Sequence, residues 1–393
     1  MKELHLFFIR NTPIYVGTLK KFRGDESIFQ YGDYWLTKGG FPLSGDMPLI
    51  SDPIMYKRNE GLGAINDSLP DRWGDEMLKI LHKQPHMSLL ERLYYAGDNR
   101  FGALGYSSSK DKYLPCKTEP LASFNDVNQL YLDINNQHGD ISEYIRRLMS
   151  STKSMGGAHP KALMIHNGIE YIVKFGGGSN IDVPLIEHAA MTLASKCGIK
   201  TANTFVIPLD VGNVLAVERF DRDNGNRLHA LSFNTVASSG FSSRIRKPLS
   251  YTGLSEIARM CNDISGKEVF KRMLFNILID NTDDHEKNHA FIYTEKGWGL
   301  SPAYDVLPSA SGTGTQQLIV GRDGYDSTID NAISGCNSFG LKYNDAVIIK
   351  DEILNIVSGW KEHFKQHGVL NSDIDYLSTF IDPILNQETL TLS

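Results

Sequence analysis

Cysteine is scarce in this chain: there are four among 393 residues, Cys116, Cys197, Cys261 and Cys336. They lie far apart and form no C-x-x-C pair. That speaks against a zinc ribbon or a thioredoxin-like redox site and fits a reducing compartment. Long apolar runs are absent too, and no stretch approaches the length needed to span a bilayer. The opening MKELHLFFIRNTPIYVG has its short apolar segment broken by Arg10 and Asn11. Neither a signal peptide nor a membrane span is expected, and the expected location is cytoplasmic. Charge of one sign is not in excess. The formal net charge of −6 sets up no strong field for nucleic acid. The basic stretch SSRIRKP at 242–248 reads as a solvated loop, with a local basic patch as the alternative. One site signature is also missing. No G-x-x-x-x-G-K-[ST] occurs, so a Walker A loop is excluded.

What is present is ordinary globular composition, 41% hydrophobic and 22% charged, with enough chain for two cores. Residues 4–36 alternate as LHLFFIR, IYVGTL, SIFQYG and YWLT, which predicts the strands of a small antiparallel sheet. LPDRWGDEMLKILHK (69–83) changes to helical spacing, with Pro70 and Asp71 at its start and Trp73, Met77, Ile80 and Leu81 on the apolar face. SLLERLYYAG (88–97) predicts a second helix closed by Gly97, and GALGYS (102–107) a strand. A polar connector, SKDKYLPCKTEP, precedes two helical segments, DVNQLYLDIN and ISEYIRRLMS. Then come the glycine-rich STKSMGGAHPKALMI, a strand IEYIVKFGGG, a helix VPLIEHAAMTLASKCG, and strands TANTFVIPL and NVLAVERFDR. Beyond about residue 225 the pattern is mostly helical. A strand-rich half followed by a helix-rich half predicts an α+β protein with two lobes.

Chemistry concentrates at a few places. NTDDHEKNHAF, residues 281–291, crowds acids, histidines, a lysine and asparagines directly after an apolar helix, EVFKRMLFNILID. One reading is a metal site for hydrolysis built from Asp283, Asp284, His285 and His289. The other is a catalytic loop that positions a hydroxyl and holds Mg²⁺ against a nucleotide. Asp283 and Asn288 have the Asp-x-x-x-x-Asn spacing of the protein-kinase loop, where the Asp is the base and the Asn binds metal. GLSPAYDVLPS reads as a short strand ending in Tyr304-Asp305, an acid placed like the kinase aspartate that holds Mg²⁺. Upstream, Gly156 and Gly157 let backbone amides approach a phosphate, although such pairs also mark plain turns. Lys174 sits in the apolar strand YIVKF. It points either to solvent or inward to an anion, with Glu187 on the next helix as its partner. AVERFDR either presents the backbone of Glu218, Arg219 and Phe220 to an adenine edge or is a strand end with a charged turn. The hydrolase reading leaves Lys174 and the glycines unexplained. Glycine loop, strand lysine, linking strand, Asp…Asn loop and final Asp follow in kinase order.

LPDRWGDEM, GDNRFGALGYS, SMGGAHPKALM, YIVKF, VERFDR, NTDDHEKN and SPAYDVLPS together resemble the HipA-family serine/threonine kinases, the toxins of bacterial HipBA-type toxin–antitoxin modules. The resemblance covers nearly the whole chain. It implies a two-lobed, protein-kinase-like α+β fold: a strand-rich N-lobe with an extra N-terminal subdomain, and a helical C-lobe. The division implied is 1–110 for the N-terminal subdomain, 111–222 for the N-lobe core with its glycine loop and hinge, and 223–393 for the C-lobe with its catalytic loop. ATP and Mg²⁺ are the implied cofactors. Asp283 is the implied base, Lys174 binds phosphates, and Asn288 and Asp305 hold the metal. Glu218, Arg219 and Phe220 form the adenine hinge, His285 and Lys287 line the phosphate site, and Tyr304 belongs with the nucleotide-binding residues. Gly156, Gly157, Ala158, His159, Pro160 and Lys161 form the flexible phosphate loop. Ser154 matches the serine whose autophosphorylation silences the family, with Ser150, Ser151 and Thr152 as near alternatives. His159-Pro160 departs from the family's usual Gln-Glu, and Asp284 stands where Gly is usual. The implied partners are a small helix-turn-helix antitoxin, through which alone DNA is reached, and a protein substrate of the aminoacyl-tRNA synthetase kind. A corepressor scaffold with little or no kinase activity is the alternative function.

Overall fold

The computed structural model describes residues 1–23, 26–56, 62–70, 72–117, 119–136, 161–176, 180–210, 212–239, 248–262 and 264–390. The predicted helix ISEYIRRLMS and the glycine-rich segment through Pro160 lie outside them.

Strands β1 (Glu3–Phe8), β2 (Ile14–Lys21), β3 (Ser27–Tyr31), β4 (Ile54–Tyr56) and β5 (Leu104–Ser107) form an antiparallel sheet in the order β4-β3-β2-β1-β5. Leu4, Leu19 and Phe29 stand opposite one another on neighbouring strands and are fully buried, as a period of two with one covered face requires. YWLT is not a strand: Asp33–Thr37 is a short helix, α1. Trp35 turns inward, its Nε1 donating to the Phe41 carbonyl at 3.0 Å, and the Thr37 hydroxyl donates back to the Asp33 carbonyl at 2.8 Å. Four residues are too few to separate a period of two from one of 3.6. Helices α2 (Gly63–Asp67), α3 (Arg72–Leu81) and α4 (Leu89–Tyr95) follow. A capping box between Ser88 and Glu91 opens α4, whose Leu89, Leu90 and Leu93 are buried. In α3 Leu78 is fully buried, packed with Met87 and Ala96, while Ile80 is 49% exposed; the side chain of Trp73 lies outside the described residues. The apolar stripe runs through Met77, Leu78 and Leu81 and leaves Ile80 outside.

A second antiparallel sheet has the order β6-β7-β9-β8: β6 (Lys161–His166), β7 (Ile169–Phe175), β8 (Thr204–Pro208) and β9 (Asn213–Glu218). Helix α5 (Phe124–Asn136) covers one face, where Val127 and Leu130 join Ala162, Met164, Val173 and Ala216. Helix α6 (Val183–Lys196) covers the other. The Asp182 carboxylate accepts the Leu185 amide at 3.1 Å and Pro184 sits in the first turn, so α6 starts where its cap dictates.

A two-strand ribbon, β10 (Arg222–Asp223) and β11 (Asn226–Arg227), leads out of this sheet. The remainder is helical, as expected, but encloses a three-stranded antiparallel sheet of β12 (His229–Ser232), β13 (Ala290–Thr294) and β14 (Gly297–Leu300). The helices are α7 (Phe233–Ser238), α8 (Tyr251–Cys261), α9 (Ser265–Leu278), α10 (Ile329–Ser334), α11 (Tyr343–Val357), α12 (Trp360–Gln366) and α13 (Asn371–Leu390). Central α9 buries Val269, Phe270, Met273, Leu274 and Ile277, and also Arg272 and Asn276. Strand β14 stops at Leu300, short of the predicted Tyr304-Asp305. The chain then makes one isolated bridge, Ala303 to Thr201, and Asp305 takes φ of 60°. Among the described residues no helix is long and apolar enough to cross a membrane.

Phe270 is fully buried and meets the Phe339 ring at 5.2 Å. Phe270→Ala is expected to cost about 3–5 kcal/mol. A lower denaturation midpoint of the chain would register it.

Candidate active site

Strand β7 alternates buried and half-buried positions, and Lys174 stands directly opposite Lys161 of β6. Opposed residues share a face, so two cations lie side by side and require anions. Two carboxylates meet Lys174. Its Nζ donates to Glu187 Oε1 of α6 at 2.5 Å and to Asp305 Oδ1 at 2.6 Å. The pairing of Lys174 with Glu187 that the sequence suggests is therefore present. Burial works against the Lys174 charge, but Asp305 and Glu187 outweigh it and raise the pKa above the ordinary lysine value. The Lys174 ammonium in turn holds the half-exposed Asp305 carboxylate down to about 2, with help from Lys161 and His285. Glu187 is raised because burial exceeds the pull of Lys174.

The loop after α9 is held from two sides. Asp280 takes φ of 54° and its carboxylate accepts the amides of Ser311 and Gly312 at 3.2 and 3.4 Å. Ser309 Oγ accepts the amides of Thr282 and Asp283 at 2.9 and 3.1 Å. The Asp283 side chain is left exposed. Asn288 Nδ2 donates to the Asp283 carbonyl at 3.4 Å, joining the two loop residues that the sequence singles out. Between them His285 Nδ1 accepts the Lys287 amide at 3.2 Å, and the Tyr304 hydroxyl donates to the Lys287 carbonyl at 2.7 Å. On the inner side Asp284 is buried and accepts from Tyr251 Oη at 2.5 Å, Asn276 Nδ2 at 2.9 Å and His289 Nε2 at 2.9 Å. Burial opposes its charge, yet His289 and Tyr251 prevail and its pKa lies below the usual value. Asp284 and His289 thus pair with each other in the interior, apart from exposed Asp283, while His289 Nδ1 has no hydrogen-bond partner among the described residues. His285 to His289 spell H-E-x-x-H, but they lie in a turn rather than on a helix, and among the described residues no group of three or more acids, histidines or cysteines could hold a metal ion, which counts against the hydrolase reading.

At the end of β9 the Glu218 amide donates to the Asn203 carbonyl at 2.8 Å, and the Arg219 amide to the Glu170 carbonyl at 3.0 Å. Phe220 has no backbone hydrogen bond among the described residues. Its ring lies 5.1 Å from Tyr304, which connects this turn to the loop at 281–288. The Arg219 side chain does not face the cleft. It is buried on Asp221, at 2.8 and 3.0 Å, and on the Arg100 carbonyl at 2.5 Å. Asp221 also accepts the Gly102 amide at 2.8 Å, and Arg222 reaches the Arg100 carbonyl at 3.1 Å. Of the predicted phosphate loop, Lys161 is described; Ser154, Gly156, Gly157, Ala158, His159 and Pro160 lie outside the described residues. The braces at Asp280, Ser309, Tyr251, Asn276 and Asp221 escape sequence reasoning, since each meets its partner only in three dimensions.

The donor set suits a hard cation. Asp305 offers a carboxylate, and with Nδ2 of Asn288 on the Asp283 carbonyl its Oδ1 remains as an amide oxygen donor.

A strand lysine held on a helix glutamate beneath one sheet, with an Asp…Asn loop on a helical body, defines an α+β, kinase-like fold. The chain belongs to the HipA family: residues 9–107 match the HipA N-terminal domain and residues 153–360, more than half the chain, match the HipA-like C-terminal domain. It is 29% identical over 186 residues to the serine/threonine-protein kinase toxin HipA of Shewanella oneidensis, covering 39% of this chain and 42% of that protein. It is also 29% identical over 154 residues to the Sinorhizobium fredii protein Y4dM, covering 36% of this chain and 37% of that one. The chain thus spans about two fifths of the length of these curated relatives. The fold is similar to that of a chain in the solved Shewanella oneidensis complex of HipA, HipB and operator DNA, with a TM-score of 0.70 and 20% identity over 97% of this chain and 96% of that one.

The Lys174–Asp305 pair carries its own test. A carboxyl lowered to about 2 contributes stability that is complete above its unfolded value, about 4, and lost as pH falls toward about 2. Lys174→Ala is expected to return Asp305 to the ordinary carboxyl range or above and to abolish that acid-limb contribution. Carboxyl-carbon NMR titration of the ligand-free protein reads both.

Proposed function

We propose that the chain is an ATP-dependent serine/threonine kinase acting as the toxin of a HipBA-type module. The observation that carries the reading is the Lys174 ammonium set between Glu187 and Asp305. The Asp283…Asn288 loop is linked to the same cleft through Tyr304 and Phe220. In this reading Lys174, joined by Lys161, binds the nucleotide's phosphates, and the backbone of Phe220, unpaired among the described residues, takes the adenine edge. The roles of Glu218 and Arg219 are confined to shaping that turn. Asn288 and Asp305 hold Mg²⁺, which when bound neutralises charge between the phosphates. His285 and Lys287 line the phosphate end, and the segment through Gly156 and Gly157 closes over it. Asp283 accepts the proton of a serine hydroxyl as its oxygen bonds to the γ-phosphorus; the bond to the bridging oxygen breaks and ADP leaves.

The partner proposed is a small HipB-type helix-turn-helix antitoxin, with DNA reached through it. The similarity to a HipA chain solved with HipB and operator DNA supports that pairing. The substrate proposed is a serine of a translation protein of the aminoacyl-tRNA synthetase kind, on the family resemblance alone. The division at residues 110 and 222 belongs to the same reading. The same similarity also supports the second reading, a corepressor that works through the antitoxin without phosphotransfer.

Asp283→Asn is expected to keep ATP binding and to lower transfer by about 10²–10⁴-fold, because the hydroxyl loses its base. Expression of the wild-type chain without antitoxin should arrest growth and expression of this variant should not; equal arrest by both would favour the corepressor.

Ser154 should carry phosphate in active protein and none in Asp283→Asn, with weakened ATP binding once modified, since a phosphoserine adds about −1.5 to −2 charge beside the nucleotide's own phosphates. Mass spectrometry that places the phosphate on Ser150, Ser151 or Thr152 would reassign the residue. Unchanged ATP affinity of the fully modified protein would rule out the switch.

A further inference from the structure

The catalytic loop is braced on its far side by the N-terminal domain. Asp67 ends α2, within the segment matched to the HipA N-terminal domain. Its two carboxylate oxygens take both donors of one residue, Ser232: the amide at 2.7 Å and the hydroxyl at 2.7 Å. Ser232 closes β12 and caps α7, its hydroxyl accepting the Thr235 amide at 3.2 Å. The next two amides grip the loop. Phe233 donates to the His289 carbonyl at 2.8 Å and Asn234 to the Glu286 carbonyl at 3.3 Å. These carbonyls flank Lys287 and Asn288, so the stretch that carries the metal-binding asparagine is clamped at both ends.

We propose that Asp67 is a positioning residue for the catalytic loop. By holding both donors of Ser232 it fixes the Phe233 and Asn234 amides, and through them the backbone on either side of Asn288. The consequence for turnover rests on the kinase reading; the positioning itself does not. Only a carboxylate meets both donors. An amide in its place accepts from one and turns its own NH₂ toward the other. Burial pushes the Asp67 carboxyl up to about 6, with the Ser232 bonds pulling the other way. The brace makes the N-terminal domain part of the active-site scaffold rather than an appendage.

The test uses the full chain and Asp67→Asn, followed by hydrogen exchange and by ATP kinetics. Amides of 286–289 are expected to exchange about tenfold faster, as the loss of one buried hydrogen bond allows, with amides of α9 and of β1–β3 unchanged. Turnover should fall about tenfold while KM for ATP stays within about twofold, the mark of a displaced loop in a cleft that still binds. Wild-type exchange in the loop overturns the inference. So does faster exchange spread evenly over the N-terminal sheet, which would make Asp67 a stabilising residue and no more. If Asp67→Asn does not fold, Ser232→Ala removes the hydroxyl bond to Asp67 together with the α7 cap at Thr235 and keeps the amide bond; faster exchange of 286–289 is expected there too, and faster exchange confined to α7 overturns the inference equally. A wild-type protein that transfers no phosphate would sink the kinase reading, while the exchange comparison would still decide the role of Asp67.

Discussion

A lysine ammonium lodged between two carboxylates organises the cleft. Burying a single charge is costly, and a buried pair breaks roughly even only when its partners are close and well aimed. Lys174 has two such partners, one on α6 and one on the segment after β14, so a single ammonium joins a sheet, a helix and the helical body. Lys161 on the neighbouring strand brings the local count to two cations and two anions.

The geometry around that group depends on two residues held at positive φ, Asp280 and Asp305. Aspartate tolerates this conformation better than most side chains but still at a cost. Each is over-determined by its surroundings. Asp280 is tied to the amides of Ser311 and Gly312, and Asp305 to Lys174. The two strained points bracket the loop and the strand pair β13–β14, so the ends of the whole segment are aimed at one place.

Sequence patterns reveal the fold class because long elements repeat their apolar period: β1–β3, α4, α6 and α9 are all visible as such. They mislead where an element is too short to show a period, as with the helix at Asp33–Thr37 and with β12–β14, four or five residues each. At the site, the residues that carry distinctive chemistry stand out. A lysine in an apolar strand and the Asp…Asn spacing need no structure to be noticed, and the lysine's partner Glu187 could be named in advance. What stays hidden are ordinary residues with distant partners. Ser309 looks like any loop serine until two amides from the catalytic loop arrive at its hydroxyl. Arg219 carries the opposite lesson. Its neighbours in sequence suggest the cleft, but its guanidinium is drawn inward because Asp221 and the Arg100 carbonyl offer Nε and Nη2 a buried, charge-paired site.

That buried site is asymmetric. From the 219–227 side the contacts are made by side chains, Arg219, Asp221 and Arg222. On the N-terminal side they are received mainly by backbone atoms, the Arg100 carbonyl and the Gly102 amide, with Asp98 adding a side chain for Arg227. A backbone socket is indifferent to which residue supplies it and unforgiving about where it lies. The turn at 98–102 is constrained in length by that socket and in spelling at three of its five positions: Asp98 by Tyr113 and Arg227, Arg100 by the Ser68 and Leu93 carbonyls, and Gly102 by its φ of 76°. Recombination that exchanges one N-terminal domain for another has to carry over both the length of that turn and these three residues.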